Sequence, residues 1–235
     1  LIISCASKNK KTTPAMSNKS STSVQTSIVK TSITLGIFAL LAALLLGVVN
    51  LSTADKIQEQ QLAAERRALG EVLPFSFHDN DLLSKPLALT PLANNYAAIE
   101  LLELSVERQA YIALLENTFS GAILPVEAHD AYSGDINLLV GILADGTVSG
   151  VRVLAHRETP GLGDKIDIQV SNWILGFDGK SLANPSLPQW KVVKDGGEFD
   201  QLVGATITPR AVINAVQRAL QFFQLNQSKL ENSAN

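Results

Sequence analysis

Hydrophobic residues along the chain follow three different patterns. Between Ile33 and Leu51 they are continuous, with no charge in ITLGIFALLAALLLGVVNL. At about 1.5 Å per helical residue this stretch spans roughly 28 Å, near the hydrocarbon thickness of a bilayer, and predicts one transmembrane helix over 33–52. From Asp55 to Leu73 the apolar positions (Ile57, Leu62, Ala68, Leu69, Val72 and Leu73) recur near helical spacing among charged residues. That is a stalk helix, stopped by Pro74. Phe75–Thr90, interrupted by Pro86, reads as loop, so 53–105 is stalk and linker. The third pattern is a set of short apolar runs. Ala110–Glu116 and Gly121–Ala128, split at Ser120-Gly121, read as strands. Ile136–Leu143 and Thr147–His156 flank Asp145-Gly146, which allows a tight primed hairpin turn. In the second of these, Val151, Val153 and Ala155 alternate with Arg152, Leu154 and His156. Trp173–Phe177 predicts a helix on this sheet, and Trp190–Val193 another strand. Pro209 opens a last helix to about Phe223, with Val212, Val216, Ala219, Leu220 and Phe223 on one face. Thr208 stands in its capping position. The tail 226–235 is polar and expected to fray. The fold class is α+β: an anchor helix, a stalk, then a largely antiparallel sheet with packed helices over 106–225.

Composition narrows the function. The 235 residues are 46% hydrophobic and 17% charged, enough for a sizeable core and too apolar for wholesale disorder. With 19 basic and 22 acidic residues, the chain has no nucleic-acid footprint. A single cysteine, Cys5, excludes an internal disulfide framework and any multi-cysteine metal site of the chain's own, and metal-free electron chemistry would need an organic cofactor.

The amino end carries its own expectations. The only methionine is Met16, the expected translation start, with 1–15 read through from upstream. The alternative takes Leu1–Cys5 as the tail of a lipoprotein signal. Starting at Met16 moves the net charge from −3 to −6. Lys19 and Lys30 then precede the apolar run without an acidic residue, which predicts a cytoplasmic 16–32 and an exported remainder. Small residues at Ser52-Thr53-Ala54 would also suit a cleaved signal peptide, but the apolar run is longer than a usual signal core.

Two segments carry candidate chemistry. The first, His156–Ile166 (HRETPGLGDKI), turns at Pro160-Gly161 and sets glycines among polar groups, a composition that lets backbone N–H groups approach a ligand. An ordinary Gly-rich connection is the plain alternative. The second, Asp200–Arg210 (DQLVGATITPR), places Thr206 just before a helix amino terminus, its hydroxyl exposed by Gly204-Ala205. A phosphate joined there would face free helical N–H groups, and Arg210 could add a cation. The plain alternative makes Thr206 and Thr208 capping residues. His78 and His129 read as solvated surface residues, while His156 borders the first loop. Trp173, Trp190 and Phe177 read as core.

Together the segments resemble the flavinylation pattern of ion-pumping redox complexes, in which FMN is joined through its phosphate to threonine. Asp200, Gly204, Ala205 and Thr206 match it, whereas Gln201 and Val203 depart from the usual glycine and small hydroxyl residue. Lys194–Val216, Glu158–Ile166 and Tyr132-Ser133-Gly134 all look like the G subunit of the Rnf/Rsx electron transport complex. The resemblance implies an FMN-binding domain over 106–225 on the periplasmic side of a bacterial inner membrane. It implies a phosphoester to Thr206, and Asp200, Gly204 and Ala205 recognised by a flavin transferase that delivers FMN from FAD. It implies a flavin pocket lined by Glu158, Thr159, Leu162 and Gly163, with Asp164 and Lys165 nearby and Thr208 within reach of the phosphate. The protein would be a redox subunit among partner subunits, coupling electron transfer to ion translocation, and not catalytic alone. Three alternatives stand beside it: the C subunit of a sodium-pumping NADH:quinone reductase, a non-redox periplasmic binding or assembly module, and a solitary secreted flavoprotein.

Overall fold

The computed structural model describes residues 20–91 and 96–233. The expectations for 1–15, Met16 and Lys19 lie outside the described residues. The chain divides into two units, 1–60 and 61–235. Helix α1, Ser20–Val72, begins in the first and ends in the second. Anchor and stalk, expected as separate helices, are thus one element. No proline or glycine falls between Gly47 and Gly70 to break it. Within it, Ile28–Gly47 has a mean hydropathy of 2.1 and no buried residue. Among the described residues it is the one stretch long and apolar enough to cross a membrane.

The second unit is built on an antiparallel meander. Its strands are β1 Leu87–Leu89, β2 Arg108–Leu115, β3 Thr118–Ala128, β4 Ile136–Leu143 and β5 Val148–Ala155, in that spatial order. The β2–β3 turn is Glu116-Asn117, both at positive φ (51° and 62°), as a primed two-residue turn demands. Ser120-Gly121, expected as the break, lies inside β3. Gly121 is needed there because a Cβ would meet the Ile142 carbonyl oxygen at 2.5 Å. The β4–β5 turn sits at Asp145-Gly146, but only Gly146 has positive φ (84°). It is therefore not a primed two-residue turn, and the Asp145 carboxylate accepts the Thr147 N–H at 2.9 Å instead. β1 emerges from the segment read as loop, pairing Leu87–Leu89 with Arg108–Ala110. Three residues are too few to register as a strand in the sequence pattern.

Both faces of the sheet are covered, which is why β3 and β4 read as nearly continuous apolar runs. One face packs Ala122, Leu124, Val126, Leu138 and Val140 against helix α2, Ile207–Asn232. The other packs Tyr111, Ile123 and Leu139 against Leu69, Val72 and Leu73 at the end of α1. Two glycines permit that second contact. A Cβ on Gly150 would lie 2.8 Å from the Val72 carbonyl oxygen, and one on Gly141 2.7 Å from Val72 Cγ1. Ser149 Oγ donates to the same Val72 carbonyl at 2.8 Å.

α2 runs past the expected end at Phe223. Asn226 and Leu230 are buried, so the polar tail is docked as far as Leu230 and helical to Asn232. Asn226 donates to the Ala97 carbonyl and accepts the Ala97 N–H, each at 2.8 Å. The segment between β5 and α2 is irregular, with short 3-10 turns at Gly163–Ile166 and Asn172–Phe177. The Phe177 ring packs tilted against Phe199 at 4.7 Å between centroids, and Trp190 packs tilted against Phe199 at 5.1 Å. This aromatic cluster holds the segment to the core, as expected of Phe177 and Trp190. Trp190–Val193 is not a strand: Val192 makes only an isolated bridge to Phe199. The apolar residues there serve the cluster and not a ladder.

Candidate functional site

The start of α2 and the loop after β5 meet at a cleft of about 360 Å³, within the range of small-molecule sites. Glu158, Thr159, Leu162 and Gly163 line it from the loop, Gly204, Ala205 and Thr206 from the turn into α2, and Thr208 from the helix. Eight of the nine candidates from sequence therefore share one cavity. Asp200 is not among its walls. Its carbonyl accepts the Trp173 indole N–H at 2.7 Å, which fixes the segment leading to the helix.

A tight turn presents Thr206. The Ala205 N–H returns to the Leu202 carbonyl at 3.1 Å, and Gly204 takes φ 85°, the conformation that favours glycine at the third position of such a turn. A Cβ on Gly204 would also lie 2.7 Å from Leu162 Cδ2. Val203 is at the tip, 80% exposed, so its departure from a hydroxyl residue leaves the cavity wall unchanged. Thr206 is exposed and its side chain makes no capping hydrogen bond. The first N–H groups of α2, which lack intrahelical acceptors, are uncapped by any side chain beside it.

Thr208 does not cap the helix either. It is fully buried and donates its hydroxyl to Glu158 Oε2 at 2.5 Å. Glu158 in turn accepts the Ser133 N–H on Oε1 at 2.9 Å, and its own N–H donates to His156 Nδ1 at 3.1 Å. No cation pairs with this carboxylate among the described residues. It acts as the joint between loop, helix and the β3–β4 connection. A Cβ on Gly163 would meet Glu158 Oε2 at 2.5 Å, so glycine is what lets the loop close on the joint.

Two amides of the glycine loop, those of Leu162 and Gly163, do not face outward as its composition suggested. The N–H groups of Leu162 and Gly163 both turn in to the Thr159 carbonyl at 3.1 Å. Asp164 and Lys165 are outside the cleft walls, and Asp164 Oδ1 is buried without a partner. Arg210 is held elsewhere by Asp195, with bonds of 2.6 and 2.9 Å. That pair carries the Asp195 carboxyl below its usual range and raises Arg210. His78 is buried, stacked 5.1 Å from Phe75, and is not the surface residue expected. Sequence reasoning gave no role to two walls, Tyr132 and Ile207. The signal for Tyr132 was its place in Tyr132-Ser133-Gly134.

Another cleft, about 380 Å³, lies between the end of α1 and the segment Phe75–Leu83. None of the sequence candidates faces it. Slightly greater volume does not outweigh the convergence of glycines, hydroxyls and a helix amino terminus at the first.

Comparison with known proteins bears on both units. Residues 16–72 match the RnfG N-terminal region, and residues 131–221 match the FMN-binding domain family. The G subunit of the ion-translocating oxidoreductase complex of Pseudomonas aeruginosa is 46% identical over 87% of this chain and 92% of its own. The protein of the same name from Vibrio cholerae is 42% identical over 89% of this chain and 97% of its own. That of Shewanella loihica is 43% identical over 88% and 94%.

Proposed function

Because the chain belongs to the family of G subunits of ion-translocating oxidoreductase complexes, we propose that it carries electrons in such a complex on an FMN joined through its phosphate to Thr206. One observation carries this reading. Thr206 stands exposed and uncapped in the cavity that Glu158, Thr159, Leu162 and Gly163 also line. Thr206 makes no capping hydrogen bond, so its hydroxyl is left free for attachment, which favours this reading over the non-redox module.

The residues fit the group. Thr206 supplies the hydroxyl that a flavin transferase would join to the flavin-side phosphate of FAD, with AMP leaving. The uncapped N–H groups of α2 offer donors and a positive dipole end to the remaining phosphate charge. Leu162, Ala205 and Ile207 supply apolar wall, while Thr159 supplies a polar group near it. FMN, when bound, exchanges one or two electrons, and the protein holds it and sets its surroundings. A covalent tether keeps the cofactor on the exported side, where lost flavin would be hard to replace. No side chain need act as acid or base.

Placement follows the sequence. The apolar stretch, expected over 33–52 and with its candidate span at Ile28–Gly47, would anchor the chain in a bacterial inner membrane, with Lys19 before it and Lys30 in its first turn keeping the amino end cytoplasmic. The FMN-binding domain would then face the periplasm, among the other subunits.

Intact-protein mass spectrometry tests the assignment. The full chain, made with the transferase, should gain one FMN less one water after denaturation. Thr206→Ala should gain nothing. An unmodified wild-type chain, with the transferase active on a control protein, would overturn the covalent reading.

A further inference from the structure

The connection between β3 and β4 is a wall of the cleft with no role in the reading above. Its tip supplies Tyr132, 70% exposed and facing the cavity. The next residue, Ser133, gives its N–H to Glu158 Oε1. The ends of the connection, His129 and Asp135, are tied to each other: Nδ1 lies 2.8 Å from Asp135 Oδ1. The other ring nitrogen, Nε2, lies 2.8 Å from the Glu103 carbonyl oxygen. A carbonyl oxygen and a carboxylate oxygen only accept, so both bonds exist together only when both ring nitrogens carry protons.

The surrounding charges favour that form. On β3, the Glu127 carboxylate is 3.8 Å from Nε2 and is itself held by Arg108 of β2 at 3.0 Å. Beside the 3-10 turn Ile99–Leu102, the Glu103 carboxylate is taken by Arg218 of α2 at 2.7 Å. Asp130, next in sequence, lies 3.5 Å from Asn214 of α2. Glu127 and Glu103 are thus each matched by an arginine, and among the described residues Asp135 is matched only by His129. The Asp135 hydrogen bond is the main cause that holds the imidazole above its ordinary range, against partial burial.

We propose that Tyr132 is a wall of the flavin site and that His129, protonated on both nitrogens, positions it by tying the ends of its connection to each other and to the Glu103 carbonyl. This rests on the flavin reading of the cleft. When His129 loses a proton, one nitrogen turns a lone pair toward an oxygen that cannot donate. The ring then donates to only one of Asp135 and the Glu103 carbonyl, so the connection is held by one tie in place of two and the restraint on Tyr132 and on the Ser133 N–H weakens. His129 is a positioning residue in this scheme, while Tyr132 touches the cofactor.

The test uses the full chain in detergent, made with and without the flavin transferase, between about pH 5.5 and 8.5. In the flavin-free chain, exchange of the Ser133 amide, relative to its intrinsic rate, should rise about tenfold as His129 deprotonates. It should be fast at every pH in His129→Gln, while the central amides of β4 stay protected. In the loaded chain, a phenol beside the flavin quenches its emission. Emission should therefore rise over the same pH range and be high and flat in Tyr132→Phe. Ser133 exchange that ignores pH in the wild type would overturn the clamp, even if the variant fails to fold. Emission equal in wild type and Tyr132→Phe would overturn the wall. A chain that takes up no flavin would instead show itself by its mass, and the flavin-free exchange would still decide the clamp.

Discussion

A methyl group on Gly163 would lie 2.5 Å from Glu158 Oε2 and 2.9 Å from Thr208 Oγ1, two atoms already joined in a buried hydrogen bond. The neighbours cannot give way without breaking the joint between loop and helix. Gly163→Ala should therefore cost about 1–3 kcal/mol in urea unfolding of the flavin-free chain, and it should lower flavin incorporation in the mass spectrum. At this scale the motif in sequence was informative, because Gly204, Ala205 and Thr206 are close neighbours in the chain and act locally. Arg210 shows the limit. Its position suggested a phosphate partner, but Asp195, fifteen residues away, claims its guanidinium.

At the scale of elements, the carboxyl-terminal helix is the instructive case. Its polar residues after Leu225 suggested a frayed tail, yet Asn226 closes three hydrogen bonds, one of them to the Phe222 carbonyl at 2.9 Å. Leu230 is fully buried. Leu230→Ala should destabilise the domain by about 2–5 kcal/mol, measured by urea unfolding. A frayed end would show less than about 0.5 kcal/mol. The strands were legible because their apolar runs are long and bounded by turn residues. β1 was not, having three residues and a pairing that depends entirely on β2.

At the scale of the whole molecule, Glu127 and His129 link pH to stability in opposite directions. Burial alone would raise the Glu127 carboxyl, but hydrogen bonds from Ser105 and Arg108 carry it below its ordinary 4.5. Its contribution is present above that value and is lost as pH falls through the folded one. His129 is raised above its ordinary 6.5, chiefly by Asp135. Its contribution is present below 6.5 and fades as pH climbs through the folded value. From these two groups alone, the flavin-free chain should lose stability as pH falls below about 4.5 and again as it climbs past about 6.5. His129→Gln should flatten the alkaline side of that profile, as followed by urea midpoints across pH.

The sequence by itself determined the features that depend on neighbours along the chain. These are the apolar helix near the amino end, the strands from β2 to β5, the helix opened by Thr206–Pro209, and the grouping of glycines and threonines that resembles a flavin-bearing family. Hydrophobic period and a proline that opens a helix are local physics, so they can be read in order. Tertiary structure decided which of these parts meet. It committed Thr208 to Glu158 in place of a cap. It turned the Leu162 and Gly163 amides inward to Thr159 and removed Arg210 to Asp195. It brought Tyr132 into the cleft and tied His129 to Asp135. Hydrogen-bonding groups choose among all acceptors within about 3 Å, and which acceptors lie that close is settled only when distant segments pack.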